Sequence, residues 1–150
     1  MEIRAQYFSF ATNDVINDMT FYSYEVINRS TYTLDGTYFS QWVDPDLGYA
    51  GDDFVGCDVS RGLGYCYNGL PIDGTGQIEA YGAHPPAVGV DFFQGPYMDP
   101  DQRDNPKFTG DCSIITSEFP LDQMAINGVN FGDGIVDNER YGMRAFVYHN

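Results

Sequence analysis

Five aspartates fall within one fifteen-residue stretch that separates two apolar, strand-like segments. They are Asp44, Asp46, Asp52, Asp53 and Asp58. Calcium prefers six to eight oxygen ligands, which carboxylates, backbone carbonyls and water supply in a flexible loop. We therefore predict a calcium site, with the carbonyl of Leu47 or Gly48 as a neutral ligand. The alternative is an acidic surface loop, and an EF-hand is excluded because its downstream glutamate is missing.

A second acidic segment runs Asp133-Gly134-Ile135-Val136-Asp137-Asn138-Glu139. It resembles the tail of the calcium repeats in thrombospondin type 3 and dockerin-like loops. That resemblance implies Asp133, Asp137 and Glu139 as ligands, with Ile135 packed inward. An ordinary Asp-Gly turn explains the same residues. A third acidic patch is spaced too irregularly to predict a site, and it comprises Asp99, Asp101, Asp104 and Asp111.

Exposed aromatic side chains are the second candidate for function, because the chain contains 12 Tyr and 11 Phe. An exposed row of rings could stack on sugar rings or on a partner protein. The candidates are Trp42, Tyr65, Tyr67 and Tyr81. The alternative is that these side chains fill a small β core.

The three cysteines cannot all pair with one another, and none has a Cys-x-x-Cys spacing. In an oxidising compartment we predict a disulfide between Cys57 and Cys66, which flank a glycine-rich turn. Pairing of Cys57 with Cys112 is an alternative. Three buried thiols that act as small apolar side chains are another.

Signals for catalysis are unspecific. A glycosidase needs two carboxylates about 5–9.5 Å apart, which almost any acidic β domain could supply. A nucleophile needs a nearby base, and His84 stands before two prolines, where a turn role fits better. A glycoside hydrolase-like enzyme is therefore the more distant alternative to a binding or structural role.

The charge of the chain excludes several partners. Seven Lys and Arg against 22 Asp and Glu give a formal net charge of −15, which repels nucleic acid phosphates and anionic membranes. No apolar stretch is long enough to span a bilayer, so we expect no membrane insertion. The first and last residues read as strands, which indicates a segment of a longer chain with neighbouring domains.

The pattern along the chain is that of a β protein. Alternating aromatic or β-branched and polar residues predict strands. The 17 glycines and eight prolines interrupt the chain too often for long helices. We predict one all-β domain over 1–150, an antiparallel β-sandwich or jelly roll with long acidic, metal-ordered loops. The strands are predicted at 3–10, 19–27, 38–43, 54–59, 64–67, 88–93, 114–116 and 143–148, with one helical turn at 121–125.

Several strings resemble an internal region of large secreted Bacteroidota proteins that end in a type IX secretion sorting domain. They include Thr37-Tyr38-Phe39-Ser40-Gln41-Trp42-Val43-Asp44-Pro45-Asp46-Leu47-Gly48 and Asp52-Asp53-Phe54-Val55-Gly56-Cys57-Asp58. Pro85-Pro86-Ala87-Val88-Gly89-Val90-Asp91-Phe92-Phe93 matches as well. The resemblance implies export to the cell surface or medium and no particular activity.

These observations predict a calcium-stabilised extracellular module with a structural or adhesive role, secreted or at the cell surface. Its partners would be calcium and a surface glycan or protein. A carbohydrate-binding module is the nearest alternative, and it would require a row of exposed rings beside the calcium loop.

Overall fold

A computed structural model describes residues 1–97, 102–118, 120, 128–136 and 138–148. The chain divides into two compact units, Met1–Trp42 and Val43–Asn150. The expectation of a single module over 1–150 stays a prediction. Asp99, Asp101, Asp137 and the predicted helical turn at 121–125 lie outside the described residues.

The first unit is an antiparallel pair of strands, β1 (Glu2–Ser9) and β2 (Thr20–Ile27). Both coincide with predicted strands, because alternation of side chains is the strongest signal that a half-buried strand leaves in a sequence. Glu2 accepts hydrogen bonds from Arg29 and Arg4, each at 2.8 Å, and these bonds lower the pKa of its carboxyl. This pairing gives the ribbon a charge-balanced polar edge.

The second unit contains the candidate site. Its strands are β3 (Asp53–Asp58), β4 (Leu63–Asn68), β5 (Ile72–Asp73), β6 (Gly82–Ala83) and β7 (Ala87–Asp91). An antiparallel sheet is formed in the order β3-β4-β7, and β5 pairs with β6 in a short second ribbon. Isolated bridges join Arg140 to Tyr97 and Val129.

The two faces of the β3-β4-β7 sheet differ on its central strand. On the inner face, which we define by Gly64 and Cys66, both residues are buried. The ring of Phe146 packs there, 3.0 Å from where a Cβ on Gly64 would lie. On the flanking strands of the inner face, by contrast, Val55, Val88 and Val90 are 38–41% exposed. The outer face, defined by Phe54, Tyr65 and Tyr67, is exposed. Strand alternation places these two sets on opposite sides of the sheet.

The interior is unusually polar. Among the described residues, the fully buried hydrophobic side chains are those of Leu47 and Cys66. Asp73, Asn105 and Glu139 are buried as deeply, with 0–2% of their surface exposed. Buried carboxylates are costly unless hydrogen bonds or cations compensate them. The second unit is therefore organised around polar groups as much as around an apolar core.

The prediction of an all-β, antiparallel fold is confirmed, and no helix of seven or more residues occurs in the described ranges. The predicted strands at 38–43, 114–116 and 143–148 are wrong, because none of those described residues pairs in a ladder. Cys112–Ile114 instead forms a 3-10 helix, which Asp111 caps. No helix in the described part of the chain is long and apolar enough to cross a membrane.

Candidate metal centre

Three carboxylates of the second unit lie close together, and we call Asp52, Asp53 and Asp73 the acidic cluster. Asp52 ends the 3-10 helix Ala50–Asp52, and Asp53 opens β3 directly after it. Asp73 ends β5, some twenty residues further along the chain. The β3 start and the β5–β6 ribbon therefore bring together acids that are distant in sequence.

Asp73 is the most deeply buried member of the acidic cluster, with 1% of its surface exposed. Its Oδ1 accepts a hydrogen bond from the Tyr49 backbone N–H at 3.0 Å, and its Oδ2 accepts one from the Tyr81 N–H at 2.6 Å. The carboxylate packs so closely on Gly48 that any Cβ there would overlap Asp73 Oδ2. Asp73 thus ties the 48–49 turn to Tyr81, the residue before β6.

Asp52 connects the same loops from the other side. Its Oδ2 accepts a hydrogen bond from the Gly74 N–H at 3.1 Å, and its backbone carbonyl accepts one from Gly69 at 2.8 Å. Its Oδ1 is shielded from solvent and accepts no hydrogen bond from the described residues. One oxygen of Asp52 is therefore available to another ligand.

Asp53 is the member whose charge is least compensated. Both of its carboxylate oxygens are shielded from solvent, and neither accepts a hydrogen bond from the described part of the chain. The same holds for Oδ1 of Asn68, which the register places directly opposite Asp53. Burial and the negative charges of Asp52 and Asp73 raise the pKa of Asp53. At neutral pH its carboxylate is thus a destabilised charge.

Such an arrangement can be neutralised in two ways, by a proton or by a cation. The shielded oxygens of Asp52, Asp53 and Asn68 are hard donors of the kind that calcium binds, together with backbone carbonyls and water. No three His, Cys, Asp or Glu side chains within the described ranges are already arranged around a metal-sized point. Binding would therefore need side-chain rotation and neutral oxygen ligands to complete the shell.

The other sequence-predicted ligands of the first segment lie in different surroundings. Asp44 and Asp46 are exposed, and Leu47, just after them, is buried. Asp58 lies at the far end of β3, where it accepts hydrogen bonds from Ser60 Oγ at 2.6 Å and from the Arg61 N–H at 3.2 Å. Asp58 thus caps a 3-10 helix, and the bond from Ser60 is the main reason that its pKa is lowered.

The second acidic segment is closed by Asp104, a member of the irregularly spaced third acidic patch. Its Oδ1 accepts hydrogen bonds from the N–H groups of Gly132 and Asp133, at 2.7 and 3.2 Å. Its Oδ2 accepts one from Gly134 at 2.6 Å. Positive φ angles of 69° and 85° at the two glycines aim these N–H groups at one carboxylate. The turn is therefore ordered by an internal anion.

Asp133 takes part in this closed turn, whereas the expectation that Ile135 packs inward is wrong, because Ile135 is 59% exposed. Asp133 accepts hydrogen bonds from the Ile135 N–H at 2.8 Å and from Asn138 Nδ2 at 2.9 Å. Glu139 is fully buried, and its Oε1 accepts the Asn105 N–H at 2.8 Å. Asp137 lies outside the described residues, so the predicted second calcium site stays a prediction.

Asp73 of the acidic cluster and the neighbouring Asn68 are the site residues that sequence reasoning missed. Asp73 stands in Pro-Ile-Asp-Gly, which indicates only a turn, and Asn68 stands in Asn-Gly, which indicates another. Their proximity to Asp53 depends on the β3–β4 register and on the β5–β6 pairing. No local pattern could have revealed it.

The four predicted aromatic ligands do not form one group. Tyr65 and Tyr67 are neighbours on the outer face, with ring centroids 6.0 Å apart. Tyr81 lies beside the acidic cluster, because its backbone N–H donates to Asp73. Trp42 is 78% exposed and belongs to the first unit. Of the four predicted rings, only Tyr65 and Tyr67 therefore belong to one row. Phe54, which is not one of the four, is the third ring of that row.

The predicted Cys57–Cys66 disulfide is not formed, and all three cysteines are free thiols. The register sets Cys57 opposite Gly64 and Cys66 opposite Val55, so the two thiols occupy diagonal positions. Such positions have Cα atoms about 7–8 Å apart, beyond the usual disulfide range of about 4.4–6.8 Å. The glycine-rich turn brings the strands together in a register that separates the two sulfurs.

We expect two of the three thiols to react with Ellman's reagent in the folded protein. Cys57 and Cys112 are exposed, whereas Cys66 is buried. Burial and the nearby charge of Asp53 raise the pKa of the Cys66 thiol, which further suppresses its reactive thiolate. A fast titration of two thiols, with the third released only by denaturant, is the expected result. Three fast thiols would contradict the β3–β4 packing.

Comparison with protein-family models, with curated proteins and with solved structures gives no match.

Proposed function

We propose that the chain is a calcium-stabilised module of a secreted or cell-surface protein, with a structural or adhesive role. The proposed calcium ligands are centred on Asp53, with Asp52 and Asn68 beside it and backbone carbonyls such as that of Leu47 as neutral donors. Asp73 contributes mainly by holding the surrounding loops, since both of its oxygens accept backbone hydrogen bonds.

One observation carries this proposal: both oxygens of the Asp53 carboxylate are shielded from solvent and accept no hydrogen bond from the described residues, beside two further carboxylates. Leaving an ion in such a place without compensation is among the most unfavourable arrangements in a folded protein. A bound calcium ion would offset both the desolvation and the repulsion. The formal charge of −15 favours the same binding, since cations lower the self-repulsion of the chain.

The finer architecture is part of the proposal. We infer a sandwich-type module, in which the inner face of the β3-β4-β7 sheet packs on following chain segments, as Phe146 does on Gly64. Calcium at the acidic cluster would then order the acidic loops around residues 48–53 and 68–83. Location at the surface of a Bacteroidota cell, within a longer chain, rests on the sequence resemblance described above.

Thermal melts in excess calcium and in excess chelator test the proposal. An ion that binds only the folded state at 100 times its dissociation constant stabilises that state by about 2.7 kcal/mol. For a chain of this length the midpoint should rise by roughly 5–10 °C. Magnesium at the same concentration serves as a control for ionic strength and for divalent charge.

Identical melts in calcium and chelator, together with no calcium in the purified protein by atomic emission, would refute the proposed function. An equal rise with magnesium would show general screening of negative charge instead of a calcium site.

A further inference from the structure

We propose that the outer face of the β3-β4-β7 sheet is a binding surface for neutral polysaccharides, with Phe54, Tyr67 and Tyr65 as its stacking platform. This inference goes beyond the proposed calcium function and uses the opposite side of the sheet from Asp53.

The three rings form a continuous row. Phe54 and Tyr67 are directly opposite in the register, with ring centroids 6.1 Å apart and planes inclined by only 28°. Tyr65 follows Tyr67 two residues away on the central strand, with centroids 6.0 Å apart. They are 57%, 43% and 38% exposed in the order Phe54, Tyr67, Tyr65. The solvent-facing side of an antiparallel sheet is ordinarily polar, so a row of exposed rings needs another reason.

Glycines beneath the rings explain how they lie. The ring of Tyr65 lies across Gly56, its partner on β3, only 2.6 Å from where a Cβ would be. The ring of Phe54 covers Gly69 so closely that a Cβ there would overlap it. The rings of Tyr65 and Phe54 thus lie against backbone that carries no side chain at these two positions. The flat side of a ring is the surface on which the C–H groups of a sugar ring stack, whereas a protein partner is normally met by side chains of varied shape.

Polar groups surround one end of this row. Leu63, the next outward residue on β4, is paired with Asp58 on β3 and Asp91 on β7. Asp91 also lines a cavity of about 200 Å³, together with Ser60, Arg61 and Lys107. That volume is below the roughly 300–1,000 Å³ of sites for drug-sized ligands, so it suits the terminal unit of a longer ligand. Carboxylates there can accept hydrogen bonds from hydroxyl groups, and the cationic side chains can donate hydrogen bonds to them.

The charge balance selects the class of sugar. Arg61, which pairs with Asp58 at 3.5 Å, and Lys107 offset the local charges of Asp58 and Asp91, but the net charge of −15 on the whole chain repels uronic-acid and sulfated polymers. An uncharged polymer such as a glucan, xylan or mannan avoids that cost. The platform therefore fits neutral polysaccharides.

Affinity gel electrophoresis of the intact chain, with calcium present, tests this assignment. The probes are hydroxyethyl cellulose, laminarin, xylan, galactomannan and, as an acidic counter-probe, polygalacturonate. We expect retardation by at least one neutral polymer and none by polygalacturonate. Tyr65→Ala and Tyr67→Ala should each weaken the interaction by about tenfold or more, the scale expected for a central aromatic contact.

Tyr24→Ala is the matched control, because Tyr24 is 52% exposed on a strand of the other unit, and it should leave retardation unchanged. Should either platform variant fail to fold, nitration of the wild-type chain with and without the retarding polymer replaces it. Tyr65 and Tyr67 should then be protected. The assignment is overturned by no retardation with any neutral polymer, by retardation with polygalacturonate alone, or by retardation that survives both variants. The calcium melts are independent of all these outcomes, so either proposal can fail alone.

Discussion

Replacing Asp53 with Asn should make the protein more stable in chelator and almost insensitive to calcium. The variant removes a buried negative charge that two neighbouring carboxylates oppose, and it keeps the size of the side chain. It also removes the principal proposed calcium ligand. We expect the melting midpoint in chelator to rise, and most of the calcium-dependent gain of about 2.7 kcal/mol at 100 times the dissociation constant to vanish.

Asp58→Asn is the matched control, since Asp58 lies at the other end of the same strand and its carboxylate is already hydrogen-bonded. Its pKa is lowered, so its charge is favourable in the fold and its loss should reduce stability slightly in both buffers. The calcium response should remain. A calcium response retained by Asp53→Asn and lost in Asp58→Asn would place the ion elsewhere.

The raised pKa of Asp53 predicts how the stability difference between the wild type and Asp53→Asn depends on pH. The folded chain holds this proton more tightly than the unfolded chain, whose carboxyl titrates near 3.8. The stability that Asp53 contributes is therefore fully present below about pH 3.8 and is lost as the pH rises through the raised pKa. In chelator, the unfolding free energy of wild type minus that of Asp53→Asn should decline across this window. Calcium binds the ionised carboxylate, so its addition should restore the stability of the wild-type protein at higher pH.

Gly48→Ala should destabilise the protein more than any other glycine substitution at a comparable backbone angle. Gly48 has a φ of 72°, which costs a residue with a Cβ about 1–2 kcal/mol. Its Cβ would in addition overlap Asp73 Oδ2 and lie 2.7 Å from the Tyr81 ring. Overpacking of this kind adds about 1–3 kcal/mol. Urea unfolding should therefore show a total loss of about 2–5 kcal/mol.

Gly82→Ala isolates the contact from the backbone angle. Gly82 has the same φ of 72° and open space around its Cβ position. Its substitution by Ala should lower the free energy of unfolding only by the cost of the positive φ, about 1–2 kcal/mol. Equal losses in the two variants would mean that Asp73 does not pack on Gly48, and the acidic cluster would then have to be redrawn.

The elements that the sequence predicts well are those specified by local alternation. Strands β1 and β2 coincide with stretches in which apolar and polar residues alternate, and β3, β4 and β7 overlap predicted strands that are rich in aromatic and β-branched residues. The Asp35-Gly36 dipeptide, which is typical of a two-residue hairpin turn between strands, shows the limit of such reasoning. Gly36 does adopt a positive φ of 60°, yet neither flank becomes a strand. Turn chemistry is local, whereas a strand also needs a partner to pair with.

The candidate site is predicted only in part for the same reason. The adjacent Asp52 and Asp53 attract attention as a repulsive pair, and the structure keeps them together in a shielded place. Asp73 and Asp104 stand alone among turn residues and gain their roles from backbone N–H groups that lie far away in sequence, such as Tyr49 and Gly132. The aspartate-rich segment around Asp58 indicates a metal ligand. In the structure Asp58 instead accepts a hydrogen bond from Ser60, two residues later, and caps a 3-10 helix.

The hydrogen bonds around Asp52 and Asp73 also bear on the kinetics of folding. They join residues that are 24, 22 and 8 positions apart, so each needs a loop of that length to close, and we infer that they form late in folding. Interactions completed late contribute little to the folding transition state and mainly slow unfolding. Calcium bound among them would lower the unfolding rate and so prolong the lifetime of the native module, with little effect on the folding rate. In the extracellular location that we propose, where no chaperone would refold the chain, that lifetime would be the form of stability that matters.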